Sequence, residues 1–236
     1  MSLKNERILF FTRTMQLGGT ENVILQLCDI FKDKVDKIVV CSCGGVNVEK
    51  LNEMSIKHYE IPDITDRTVG NIRKTLSILK RIVKDEKITV IHTHHRMAAF
   101  YTRLSGLNKK CVFINTSHNT FYDKKMLTRL AYKKAKLIAC GEMVKRNLIE
   151  DFKLDKVEAI TNSVYPFDEQ VNVDKDIQML QLEGKFIVAN VGRLSEQKGM
   201  EYYLQAIPLV LRRCPDTHFL VIGEGEDREK LEKLAF

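Results

Sequence analysis

Short apolar runs and amphipathic helical stripes alternate along nearly the whole chain, and that alternation leaves few folds open. Strand-like runs occur at Arg7 to Arg13, Lys37 to Cys43, Ser55 to Ile61, Ile88 to His92, Cys111 to Thr116, Leu137 to Cys140 and Lys156 to Thr161. Between them, apolar residues recur at three- and four-residue spacing, the period of one helix face. In Thr20 to Phe31 these are Val23, Ile24, Leu27, Ile30 and Phe31; in Thr68 to Lys84 they are Val69, Ile72, Leu76, Leu79 and Val83. Strands that alternate with helices build a parallel sheet covered on both faces, so an α/β, doubly wound first domain is predicted. Its predicted extent is residues 1–165, followed by a polar linker over 166–184 and part of a second domain over 185–236. Only two strands and two helices fit into that second piece, so it reads as truncated.

The second domain opens with the most informative stretch. Phe186 to Val191 is an apolar run, Gly192 breaks it, and Met200, Tyr203, Leu204, Ile207 and Leu211 then follow at helical spacing. Arg193 falls at the carboxyl end of the strand and Lys198 just before the helix. That is where open α/β sheets bind ligands, and where the free N–H groups and dipole of a helix favour an anion. The formal net charge of +7 points the same way, toward phosphorylated small molecules or an acidic lipid surface. No aromatic-interleaved basic patch appears, so nucleic acid is not expected as a partner.

Other positions invite chemistry to different degrees. Gly18-Gly19 follows the first strand and precedes a helix, which lets backbone approach a ligand closely, whereas the dinucleotide fingerprint Gly-x-Gly-x-x-Gly is absent. His92 and His94 would share one face of an extended segment, but no third ligand follows at a metal-binding spacing. Shaping a cleft suits them better. Asp174-Lys-Asp176 spells Asp-x-Asp yet sits in the linker, where capping a helix is the stronger reading, so neither metal nor cofactor is expected. The six cysteines form no Cys-x-x-Cys pair and read as reduced thiols. Met1 to Arg7 is polar and the apolar run behind it is too short for a signal peptide or a membrane span, which predicts a cytoplasmic chain.

Taken together, Val191-Gly-Arg-Leu-Ser-Glu-Gln-Lys-Gly199, Phe219-Leu-Val-Ile-Gly-Glu-Gly225, Gly18-Gly-Thr-Glu21, Ile91-His-Thr-His94 and Thr116-Ser-His118 resemble the family-4 (group 1) retaining glycosyltransferases. The resemblance implies the GT-B fold of two Rossmann-like domains. It also implies transfer of a sugar from a nucleotide-diphospho-sugar donor to a hydroxyl acceptor, such as a glycan or a lipid-linked saccharide. Arg193 and Lys198 match the pair that holds the donor diphosphate, Gly18 and Gly19 match the loop facing it, and His118 matches the active-site histidine. Glu21, His92, His94 and Asn162 are further cleft candidates. The family's later pair of glutamates has no counterpart before Phe236, so turnover by this stretch alone is not expected. A sugar-nucleotide epimerase of the same fold and a non-catalytic nucleotide-binding module remain alternatives. Finally, Lys125, Arg129 and Lys133 recur beside the apolar Met126, Leu127, Leu130 and Ala131. This pattern suggests peripheral contact with an anionic membrane at its inner face.

Overall fold

The computed structural model describes residues 3–164, 178–180, 182 and 184–235. Asp174-Lys-Asp176 and most of the predicted linker lie outside them. The chain divides into two units, Met1–Tyr165 and Pro166–Phe236.

In the first unit the elements run β1 (Arg7–Phe11), α1 (Gly19–Phe31), β2 (Lys37–Ser42), α2 (Val48–Glu53), β3 (Lys57–Glu60), α3 (Val69–Asp85), β4 (Val90–Thr93) and α4 (Arg96–Leu104). They continue with β5 (Val112–Ser117), α5 (Lys125–Tyr132), β6 (Lys136–Ala139), α6 (Glu142–Glu150) and β7 (Val157–Ala159). The strands form one seven-stranded sheet in the order β3-β2-β1-β4-β5-β6-β7, with every pair parallel. Strand order therefore reverses between β1 and β4. That reversal opens a crevice at the carboxyl ends of these two strands, the usual ligand position in such sheets.

Side chains of successive strand residues point to opposite faces, and the sequence fills both. Leu9, Phe11, Val39, Cys41 and Ile91 pack under α3 and α4 against Leu79, Ile82, Met97 and Tyr101. On the other face Ile8, Phe10 and Val40 meet Ile24 and Cys28 of α1 and Leu51 of α2. Phe10 and Phe11 are wholly buried, each contributing on the order of 2–3 kcal/mol by burial. Cys28 and Cys41, both fully buried, thus lie on opposite sides of the sheet, while Cys214 is exposed.

Two helices turn differently from their apolar pattern. In α3 the buried positions are Thr75, Leu79 and Ile82, while Val69, the first residue after the Thr68 cap, is 65% exposed. In α5 the buried residues are Thr128, Ala131 and Tyr132, and Met126 is left 85% exposed with Leu130. Thr128 is hidden because its hydroxyl has partners, donating to the Lys124 carbonyl and accepting from Arg96. Lys133 lies past the end of the helix with ψ 126°, and Arg129 donates to the Phe152 carbonyl at 2.8 Å, so the expected basic stripe is not a single free row.

At the amino-terminal edge, the Glu86 carboxylate ends α3 and gathers Lys37 of β2 (2.5 Å), Lys57 of β3 (3.0 Å) and the Tyr59 hydroxyl. Its backbone carbonyl accepts from Arg7 Nε of β1 at 2.6 Å. One residue thus fastens three neighbouring strands.

The second unit contains β8 (Phe186–Val191), α7 (Met200–Leu211), β9 (Thr217–Ile222) and α8 (Arg228–Ala235), with β8 and β9 parallel. Leu194, Met200 and Leu231 form its small core beside Leu204. Tyr203 pins α7 to the sheet, its hydroxyl donating to the Val188 carbonyl at 2.7 Å. Phe186 and Val191 remain exposed.

Candidate functional site

In the first unit the site grows from the switch between β1 and β4. Register sets Phe10 beside His92, and His92 beside Ile114 of β5. His92 therefore projects beside Thr116 of β5, whose hydroxyl lies 2.8 Å from His92 Nε2. Two residues further on, the His94 N–H still bonds to the Phe11 carbonyl at 3.0 Å, so the chain stays extended and His92 and His94 share a face. Their ring centroids are 4.3 Å apart. His118, just past β5, stacks on His94 with its Nε2 3.0 Å from His94 Nδ1. Phe10 covers the cluster, 5.5 Å from His92 and 5.8 Å from His94.

All three rings are held neutral. Burial pushes His92 down to about 3 and His118 down to about 4, and burial with the neighbouring rings holds His94 well below the ordinary 6.5. His94 Nε2 is buried with no hydrogen-bond partner among the described residues. His118 is the only half-exposed member, the other two being at most 9% exposed, so it is the one a ligand can touch. Among the described residues no group of three or more His, Cys, Asp or Glu is arranged to hold a metal ion.

The loop between β1 and α1 carries the glycine pair. Glu21, in the first turn of α1, accepts from the Thr14 hydroxyl at 2.8 Å and folds back over Gly18, where a Cβ would fall 2.4 Å from its Oε2. Gly19 has open space where a side chain would be. It lines a groove of about 630 Å³ beside α1 and α2 together with Asn22, Gln26, Lys50, Met54 and Asn162. The structure thus brings Gly19 and Asn162 together, and separately unites His92, His94 and His118. Glu21 bonds within its own loop.

The loop is braced by residues that the sequence reading passed over. Met15 N–H donates to the Gly44 carbonyl at 2.9 Å, Asn47 N–H to the Met15 carbonyl at 2.8 Å, and Asn47 Nδ2 to the Gln16 carbonyl at 2.6 Å. Gly45 has φ +142°, and a Cβ there would lie 2.4 Å from the Met15 backbone. Its signal was present as a Gly44-Gly45 pair shortly after β2, a glycine pair in the loop that follows a strand, as Gly18-Gly19 is after β1.

In the second unit, Arg193 and Lys198 lie in one loop between β8 and α7. Lys198 closes a short 3-10 turn, Glu196–Lys198, and Gly199 with φ +65° leads into α7. Both cations are exposed, and neither has an ion pair or side-chain hydrogen bond to a described residue. The backbone around them is locked: Gly192 N–H donates to the Ile222 carbonyl at 3.0 Å and Leu194 N–H to the Glu224 carbonyl at 2.9 Å. Gly223 and Gly225 permit this, since a Cβ would come within 1.9 Å of the Gly192 carbonyl oxygen or 2.1 Å of that of Leu194. A backbone-bonded loop carrying two cations that pair with no described residue, ahead of a helix N-terminus, is suited to bind an anion.

Residues 17–166 match the family model described as Glycosyltransferase Family 4, and residues 172–235 match Glycosyl transferases group 1. One similar protein is the UDP-Gal:alpha-D-GlcNAc-diphosphoundecaprenol alpha-1,3-galactosyltransferase of Escherichia coli, 26% identical over 89% of this chain and 60% of that protein. Another is the phosphatidylinositol N-acetylglucosaminyltransferase GPI3 subunit of Saccharomyces cerevisiae, 25% identical over 89% of this chain and 50% of that protein. The chain therefore spans about half the length of the curated relatives it matches. Among solved structures, Anabaena Alr3699/HepE in complex with UDP-glucose superposes with a TM-score of 0.72 at 18% identity, over 97% of this chain and 65% of that one. The lipopolysaccharide glycosyltransferase WaaG does so with a TM-score of 0.66 at 13% identity, over 97% and 66%. Matched by its family model over more than half its length, with an α/β fold like those of GT-B enzymes, the chain belongs to Glycosyltransferase Family 4.

Proposed function

We propose that the protein transfers a sugar from a nucleotide-diphospho-sugar donor to a hydroxyl acceptor. In this reaction the bond from the anomeric carbon to the diphosphate breaks, the acceptor oxygen bonds to that carbon, and the acceptor proton leaves on the departing phosphate. Retention of anomeric configuration belongs to this reading and rests on the motif resemblance. The names of the relatives support a nucleotide-sugar donor: a UDP-galactose enzyme in one case, and a fold neighbour holding UDP-glucose in another.

The observation that carries the reading is the pair Arg193 and Lys198, both exposed and both without an acidic partner among the described residues, on a rigid loop before α7. At an effective dielectric near 20, each is worth roughly 4 kcal/mol against a phosphate oxygen about 4 Å away, before desolvation is subtracted. Charge on the leaving diphosphate is what the transition state develops, so these side chains stand where a divalent cation acts in other enzymes. In the first unit His118 contributes a neutral, half-exposed ring to a ligand oxygen, and Gly19, with open space where a side chain would be, leaves room for a ligand to approach backbone, whereas Glu21 covers Gly18.

For the acceptor, a lipid-linked saccharide on an anionic membrane fits the surface around α5. There the exposed Tyr122, Met126 and Leu130 lie in the same stretch of chain as Lys124 and Lys125. Each cation near such a surface adds about 1 kcal/mol. Sedimentation with anionic vesicles, absent with neutral ones, is the expected result; equal pelleting removes the membrane from the reading.

The deciding experiment is release of nucleotide from UDP-sugars, with and without acceptor. In a complete enzyme, Arg193→Ala is expected to lower turnover on the order of 100-fold or more, with activity unaffected by a chelator. Turnover of Arg193→Ala equal to the parent refutes the assignment, and conversion of the free donor in the absence of acceptor identifies an epimerase instead.

A further inference from the structure

We propose that His94 sets the tautomer of His118, so that His118 meets its ligand with an Nδ1–H donor and not with a bare nitrogen. The functional weight of this rests on the placing of His118 against substrate above; the tautomer itself rests on geometry. His94 Nδ1 and His118 Nε2 are 3.0 Å apart, and between two neutral rings one proton must lie there. If His118 supplied it, the single proton of His94 would sit on Nε2, which is buried and has no acceptor among the described residues. If His94 supplies it, Nε2 of His94 is left only with an unused lone pair. Buried N–H groups without an acceptor are rarer in folded proteins than under-used acceptors, so His94 is the donor. His118 Nε2 is then occupied as an acceptor, and the one proton of that ring goes to Nδ1. This nitrogen has no hydrogen bond to a described residue, on a ring half-exposed at the carboxyl end of β5.

The consequence is chemical. A ring with Nδ1 protonated and Nε2 engaged has no free lone pair with which to take a proton from a hydroxyl. It can hold and polarise an oxygen, of a sugar hydroxyl or a phosphate, but it does not act as the general base. His94 is a positioning residue in this scheme. His92 is held independently by Thr116 at 2.8 Å.

The test is a long-range proton–nitrogen correlation spectrum of the 236-residue chain labelled with 15N-histidine, at pH 7, where His118 is neutral. Nδ1 of His118 is expected at the shift of a protonated nitrogen and Nε2 at that of an unprotonated one; the reverse assignment overturns the proposal. His94→Leu removes the donor and is expected to move His118 toward the Nε2–H form. His94→Asn, whose Nδ2–H lies near the lost Nδ1–H, is expected to restore the original pattern. A His118 signal that stays Nδ1-protonated in a folded His94→Leu variant also overturns it; should that variant fail to fold, the wild-type and His94→Asn spectra decide. None of these spectra depends on turnover. Failure of glycosyl transfer leaves the tautomer standing, and a wrong tautomer leaves glycosyl transfer standing.

Discussion

The fastening at the far edge of the sheet gives a quantitative test of how this fold is held. Glu86 is buried to 5% exposure, and its bonds to Lys37, Tyr59 and Lys57 hold the carboxyl at about 2, against the ordinary 4.5. At about 1.4 kcal/mol per pH unit that difference corresponds to about 3 kcal/mol at neutral pH. Lys37 and Lys57 are themselves 37% and 57% exposed, so solvent screens part of it, and about 2 kcal/mol is a fairer expectation. Because the folded value lies below the unfolded one, the contribution is complete above about 4.5 and fades as pH falls toward about 2. Glu86→Gln removes the charge and turns an amide donor toward two ammonium groups. Urea titrations followed by far-UV circular dichroism should therefore show the variant about 2 kcal/mol less stable at pH 7, with the gap falling by more than half at pH 3. Other acid-sensitive groups are shared by both proteins and cancel in the difference. A gap below about 0.5 kcal/mol at pH 7, or one unchanged at pH 3, refutes the account. Since Glu86 lies at the amino-terminal edge of the strands, the variant should keep the ligand behaviour of the parent.

The histidine cluster makes the opposite edge sensitive at milder acidity. His92 is held at about 3, His118 at about 4 and His94 well below 6.5, so the unfolded chain takes up their protons first and stability is lost as pH falls from about 6.5 toward 4. About 1 kcal/mol per ring should disappear between pH 7 and pH 5.5, and a urea midpoint unchanged over that range contradicts the neutral, buried rings. Gly45→Ala should cost about 2–4 kcal/mol, because a Cβ there meets the Met15 backbone at a strained φ, whereas Gly19→Ala, with open space around it, should cost less than about 1 kcal/mol. Equal shifts in melting temperature for the two would show that the contact between the loops is not what requires glycine at 45.

What could be read from the sequence follows the range of the interactions. The strand and helix alternation is local, and the seven-stranded parallel sheet followed from it with boundaries off by one or two residues. The β1 run extends to Arg13 in the sequence but the strand ends at Phe11; beyond it Thr12 N–H donates to the Cys41 carbonyl, and Arg13 and Met15 bond with Cys43 and Gly44 after β2. Burial of Thr75 and Thr128 was hidden from any apolar pattern, since it depends on each helix's rotation against the sheet and, for Thr128, on Arg96 elsewhere in the chain. His92 and His94 were legible as sharing a face. Their union with His118 was not: His94 and His118 are 24 residues apart, and only the register of β4 on β5 brings the rings together. The close approach of Gly223 to Gly192 is of the same kind, visible as a glycine in sequence but explained only by the backbone opposite it.

The chain has no tryptophan to report on its core, yet burial pushes the Cys28 thiol up to about 12 and raises that of Cys41 further, so neither should react with a labelling reagent until its surroundings open. One lies on each side of the sheet, and the exposed Cys214 in the second unit should modify at once. Counting labels against time would turn these native sulfurs into separate clocks for the two sides of the first unit, with a zero point supplied by the second.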